Sequence, residues 1–207
     1  MARKKRVWYE GATYHVMGRG VRRSSIFKVD EDYQLFIRTV AAAMEKYSFV
    51  VHAGCLMTNH FHLEITTADE PIWKIMQFLM NSYAKTFNRQ HNFSGHLFDS
   101  RYAAGLIEDE RYFLEVSRYI HLNPVKAMMV REPLAYPYSS YGDYVSDESG
   151  VKGSIFSDLL ETSRVLNCFL HNSREQYRMF VEGKISHAEQ EMLIQKEMRE
   201  DEMWLPW

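Results

Sequence analysis

Cysteine is almost absent: Cys55 and Cys168 are the only two in 207 residues. That scarcity excludes a disulfide framework and a thiolate zinc site, and it fits a reducing cytoplasm. No apolar run approaches the ~18 residues that a membrane-spanning helix needs. The basic start, Met1 to Arg6, leads into no apolar stretch, so a secretory signal is not expected. Repeats and low-complexity tracts are missing. So is a strong excess of either charge: 25 Lys and Arg stand against 27 Asp and Glu. Net charge alone therefore makes no case for nucleic acid as a partner, and placement has to.

Placement is uneven. Up to Tyr141 there are 18 basic and 14 acidic residues; after it there are 7 and 13. A basic body with an acidic tail implies two zones. With 46% hydrophobic residues the chain can fill a sizeable core.

The organising stretch is CLMTNHFH, Cys55 to His62. Apolar strand formers flank it, Phe49 to Met57 before and Leu63 to Thr67 after, and Thr58-Asn59 reads as a two-residue hairpin turn. Residues two apart in a strand share a face. His60, His62 and Glu64 then share one face, and Phe61, Leu63 and Ile65 the core face. Two imidazoles side by side can hold one divalent cation; a His-x-His pair alone is as often an ordinary pair of surface residues. Glu64 reads as a solvated carboxylate, or one standing behind the pair, rather than as a ligand.

Upstream, Arg3 to Arg6 form a basic arm. Tyr14 and Val16 alternate with His15 and Met17 in a short strand. Arg19, Arg22 and Arg23 follow in a loop with Gly18 and Gly20, whose backbone freedom would let it track phosphates. Asp30 is expected to cap an amphipathic helix closing near Tyr47, and a second helix is expected from Pro71 to about Asn88. Phe93 to Ile107 reads as loop then strand, with Arg101 and Tyr102 as candidates to line a nucleic-acid groove. A third helix follows, with Phe113, Val116 and Ile120 facing the core. Glu115, Tyr119 and Asn123 lie four apart on a different, exposed stripe. Pro124 is expected to end the helix at Asn123. His121 falls about 200° from Tyr119 around the helix and reads as structural or surface; His52, His91 and His96 have no evident partner.

Strand, helix, strand, strand, helix, strand, helix fits an α+β, ferredoxin-like or RRM-like antiparallel sheet with helices packed on one face. The polar face carrying His60 and His62 is then free for a ligand or for the last helix. Residues 142–153 read as a linker. Short helices are expected over 157–170 and 174–183, a charged one over 186–203, and an apolar tail at 204–207.

Four motifs in order, LMTNHFHLEI, GHLFDSRY, RYIHLNPVKA and YPYSS, resemble the REP-associated tyrosine transposases, within the single-tyrosine HUH endonucleases. Thr58 and Tyr138 stand where such proteins often carry proline and tryptophan. The resemblance spans about Val7 to Tyr144 and implies a catalytic domain over 1–144 with an acidic, mostly helical extension over 145–207. It implies Tyr119 as nucleophile and His60, His62 and Asn123 as ligands of Mg²⁺ or Mn²⁺. It further implies cleavage of single-stranded DNA beside hairpins, such as repetitive extragenic palindromes, through a 5′-phosphotyrosine. Arg101 and Arg118 are candidates to hold that DNA, as are Arg19, Arg22 and Arg23. Whether Tyr119 serves its own chain or a partner in a homodimer is left open. So are two rival readings, a non-catalytic single-strand binder and a small phosphate-ester hydrolase.

Overall fold

The computed structural model describes residues 7–146 and 153–183. The basic arm at 3–6, the charged helix expected over 186–203 and the tail at 204–207 lie outside the described residues.

The body runs β1 (Thr13–Arg19), α1 (Asp30–Lys46), β2 (Phe49–Met57), β3 (His60–Thr67), α2 (Ile72–Gln90) and β4 (Ala103–Ile107). The strands form one antiparallel sheet in the order β2-β3-β1-β4. This is the ferredoxin-like arrangement expected from the order of elements. Alternation sorts the side chains. Tyr14, Val16, Phe61, Leu63 and Ile65 share a core with Phe36, Val40, Leu79 and Tyr83 of α1 and α2.

The opposite face is covered as well. There α3 (Glu110–Lys126), α4 (Tyr141–Val145) and α6 (Ser173–Glu182) close a second core. Phe113, Val116, Ile120, Tyr144 and Tyr177 meet Ala53, Cys55 and Met57 of β2 in it. Two long helices hold one face, and the last helix of the body takes the other.

Local chemistry differs from expectation at four points. Asp30 does not cap α1. Val29 occupies the cap, and the Asp32 carboxylate accepts from the amides of Lys28 at 2.8 Å and Val29 at 3.2 Å. Pro124 does not end α3, because so near the C-terminus it forfeits a single hydrogen bond. The last turn closes through Ala127 N to Asn123 O and Met129 N to Pro124 O, 2.9 Å each. Residues 142–145 of the expected linker are helical, with Tyr144 buried and its hydroxyl donating to His52 O. Finally, Gly18 and Gly20 serve close approach rather than freedom. A Cβ on Gly18 would lie 2.5 Å from the Phe61 ring, and one on Gly20 2.1 Å from Ser24 O. The left-handed positions fall instead on Arg22 (φ 52°) and Arg23 (φ 59°).

Residues 153–183 fasten onto both cores, and α5 (Ser163–Leu166) lies within them. Phe156 fills the space over Gly54, where an added Cβ would lie 2.4 Å from its ring. Val165, Tyr177 and Val181 join the α3 side. Behind α3, His121 is fully buried, with Nδ1 2.7 Å from the Tyr177 hydroxyl and Nε2 2.7 Å from Ser140 Oγ. His52, also buried, meets Thr66 Oγ1 at 2.8 Å, and His91, without a partner in the sequence reading, bonds Asp32 at 2.8 Å.

Burial holds His52 down to about 4 and His121 down to about 3. Both are neutral in the fold and charge freely in the unfolded chain. Their contribution to stability is present above pH 6.5 and is lost as pH falls from there toward their depressed values. Urea unfolding should show stability falling by a few kcal/mol between pH 6.5 and pH 4; a midpoint constant across that interval would contradict the buried neutral imidazoles.

Candidate active site

The hairpin positions the site. Thr58 and Asn59 join β2 to β3 in two residues, which pins register. His60 then faces Met57 on one side and Arg19 on the other, and His62 faces Cys55 and Met17. Both imidazoles emerge on the side that α3 covers. On α3 the docking of Phe113, Val116 and Ile120 fixes the helix's rotation. The stripe expected to be exposed is thereby turned inward. Tyr119 is half-buried and Asn123 is 9% exposed.

The Tyr119 ring centroid lies 5.6 Å from that of His62. The two histidine rings are 5.0 Å apart and nearly perpendicular. Asn123 is within hydrogen-bonding reach of His60, and its Nδ2 has no partner among the described residues. One chain thus brings Tyr119, His60, His62 and Asn123 together.

Electrostatics suit a cation ligand pair. Burial pushes His60 down to about 4, with Asn123 opposing and Arg19 reinforcing the shift. Burial first, then His60, His15 and Lys126, push His62 well below the ordinary range. Both rings keep a lone pair at neutral pH. Their inner nitrogens are already engaged: His60 Nδ1 lies 2.7 Å from Asn59 Oδ1, and His62 Nδ1 lies 2.9 Å from His15 Nε2. The two Nε2 atoms are the ones left to bind. No group of three His, Cys, Asp or Glu is placed to hold a metal ion among the described residues. The Asn123 amide, within reach of His60, could supply a third donor. That set fits one divalent cation with positions open for water and phosphate.

Glu64 is not solvated. It is 0% exposed, neither carboxylate oxygen has a partner among the described residues, and burial raises its pKa well above the usual range.

The arginines separate. Arg19 pairs loosely with Asp99 at 3.6 Å, beside His60. Arg22 and Arg23 are exposed on the adjoining loop, which is knitted to the hairpin turn by Gly20 N to Asn59 O (2.8 Å) and Asn59 Nδ2 to Arg23 O (3.1 Å). Arg101 is exposed at a cavity of about 610 Å³ between α2 and residues 95–102, lined also by Trp73, Met76, Phe98 and Tyr102. Arg118 points away. It is 5% exposed, donates to Gly183 O at 3.0 Å and lies over the Phe180 ring, so it holds α6.

Two residues escaped the sequence reading. His15 is recognisable only once β1 is paired with β3. Lys126 places Nζ 4.4 Å from the Tyr119 ring centroid; its signal was available, since it lies seven residues after Tyr119 on the same helical stripe.

A histidine pair on a ferredoxin-like sheet, facing a tyrosine on the covering helix, defines a candidate phosphoryl-transfer centre. The family described as "Transposase IS200 like" matches residues 9–123. The chain belongs to that family, the IS200-like transposases. Among solved structures, a REP-associated tyrosine transposase bound to a REP hairpin is 17% identical, with a TM-score of 0.61 over 74% of this chain and 97% of that one, which shows a shared fold. A candidate transposase of Deinococcus radiodurans R1 is 18% identical over 57% of this chain and 95% of that one. Its TM-score of 0.41 carries no argument. No curated protein matches the chain. No helix among the described residues is long and apolar enough to cross a membrane.

Proposed function

We propose that this chain is a metal-dependent single-stranded DNA endonuclease and strand transferase that cleaves beside DNA hairpins through a 5′-phosphotyrosine on Tyr119. The observation that carries the reading is the approach of the Tyr119 ring to the His60–His62 pair. A bound Mg²⁺ or Mn²⁺, held by His60, His62 and Asn123, would withdraw charge from the scissile phosphate.

The chain's own groups do the rest. Tyr119 is fixed by α3 against the sheet, so its hydroxyl is presented from one side without a search for orientation. The phenolic oxygen attacks phosphorus, and the bond from phosphorus to the 3′ oxygen breaks. Products are a protein-linked 5′ phosphate and a 3′ hydroxyl, with one proton moving from the phenol to the leaving oxygen. Exchange of one phosphodiester for another keeps the bond energy, so an incoming 3′ hydroxyl reverses the step and rejoins strands. Lys126 and Arg19 flank the pair and supply positive charge for the phosphate.

Hairpin DNA is favoured by the likeness to the REP-associated transposase and by the exposed Arg22–Arg23 loop. Two consecutive left-handed arginines cost roughly 1–2 kcal/mol each, and the hydrogen bonds to Asn59 hold them. The cavity beside Arg101 has the exposed Trp73 ring for an unstacked base and a guanidinium for its phosphate, while Tyr102, 5% exposed, belongs to the core behind it.

Incubation of labelled single-stranded hairpin DNA with Mn²⁺ should give a protein-linked band on a denaturing gel. Chelator and Tyr119→Phe should each abolish the band, and Tyr119→Phe should still shift the DNA on a native gel. A band that survives in Tyr119→Phe contradicts the assignment; binding without any band makes the chain a binding module. In the same binding assay, Arg22→Ala and Arg23→Ala should weaken affinity across DNA sequences. Each should flatten the dependence of log K on log salt by about 0.7 to 0.9; an unchanged slope contradicts phosphate contact.

A further inference from the structure

We propose that His15 is a positioning residue that fixes the tautomer of His62 and seats Tyr119 beside it, a proposal that rests on the metal-site reading above. His15 is 4% exposed on β1, opposite Glu64. Its ring lies nearly parallel to that of His62, centroids 5.1 Å apart at 22°. The same ring meets Tyr119 edge-on at 5.6 Å. One side chain therefore touches both a ligand and the nucleophile.

The bond between the rings dictates the proton. His15 Nε2 and His62 Nδ1 lie 2.9 Å apart, so one donates and the other accepts. A bare Nε2 on His62 requires the proton on its Nδ1, which makes His62 the donor and His15 Nε2 the acceptor. Asn59 Oδ1 performs the equivalent task for His60. Each ligand is thus oriented by its own partner, one from the hairpin turn and one from β1. Groups that orient metal-binding imidazoles in this way typically set affinity by about 10- to 100-fold. An imidazole at position 15 does two things that an amide or a phenyl ring does singly: it accepts from His62, and its ring packs on Tyr119.

Two variants separate these parts. His15→Gln keeps an acceptor near His62; His15→Phe keeps the ring against Tyr119 and removes the acceptor. Calorimetric titration of the full chain with Mn²⁺ alone should show His15→Phe weakened about 10- to 100-fold, with His15→Gln close to the parent. Proton–nitrogen NMR of the metal-free parent should find His62 protonated at Nδ1, and this signature should persist in His15→Gln and disappear in His15→Phe. Unchanged Mn²⁺ affinity in His15→Phe overturns the proposal alone. So does a parent His62 protonated at Nε2, a result that needs no variant to fold. His60→Ala is the control: if it leaves Mn²⁺ affinity intact, the metal-site reading fails and the role of His15 with it.

Discussion

His62 lies on the sheet face that α3 covers, and it is 1% exposed. A buried imidazole cannot rely on solvent, so both its nitrogens need partners within the protein or from a ligand. His15 meets one nitrogen. The Tyr119 and His60 rings lie 5.6 and 5.0 Å from the His62 ring, centroid to centroid. Burial also keeps both histidines uncharged, which is the state a cation needs. The helix that excludes water thus keeps both imidazoles neutral and carries Tyr119, the proposed nucleophile.

That helix is held from behind as firmly as from the front. Its rear face carries His121, bonded to Tyr177 and Ser140, and Arg118, bonded to Gly183 and stacked on Phe180. Tyr177 also donates to Ser117 Oγ at 3.1 Å. Residues from α6 therefore fasten the tyrosine helix to its own sheet. Placement of a nucleophile within a fraction of an ångström depends on such supporting contacts as much as on the site itself. Arg118, next to Tyr119 in sequence, serves this support, because adjacent helical residues point about 100° apart.

Much of this was legible in the sequence, for identifiable reasons. The Thr58-Asn59 turn and the alternation about His60 and His62 are local, so β2 and β3 read correctly. The three-and-four spacing in α1, α2 and α3 gave their core faces. The four-residue interval from Tyr119 to Asn123 gave their shared stripe. The direction of that stripe was not legible, because it depends on where α3 docks. His15 was hidden for a similar reason: only the pairing of β1 with β3 brings it to His62. The role of Gly18 and Gly20 was misread because permissive backbone and missing side chain look alike in a sequence; the crowding by Phe61 and Ser24 decides between them. Glu64 was read by alternation onto the right face, but its burial is a consequence of the covering helix and the segment beyond it.

The measurement that tests the central claim most directly is an anomalous difference map from crystals of the chain soaked in Mn²⁺. The account predicts one peak bounded by His60 Nε2, His62 Nε2 and the Asn123 amide oxygen, on the side facing Tyr119. A peak elsewhere with this site empty, or ligation of His62 through Nδ1 with His15 displaced, would contradict it.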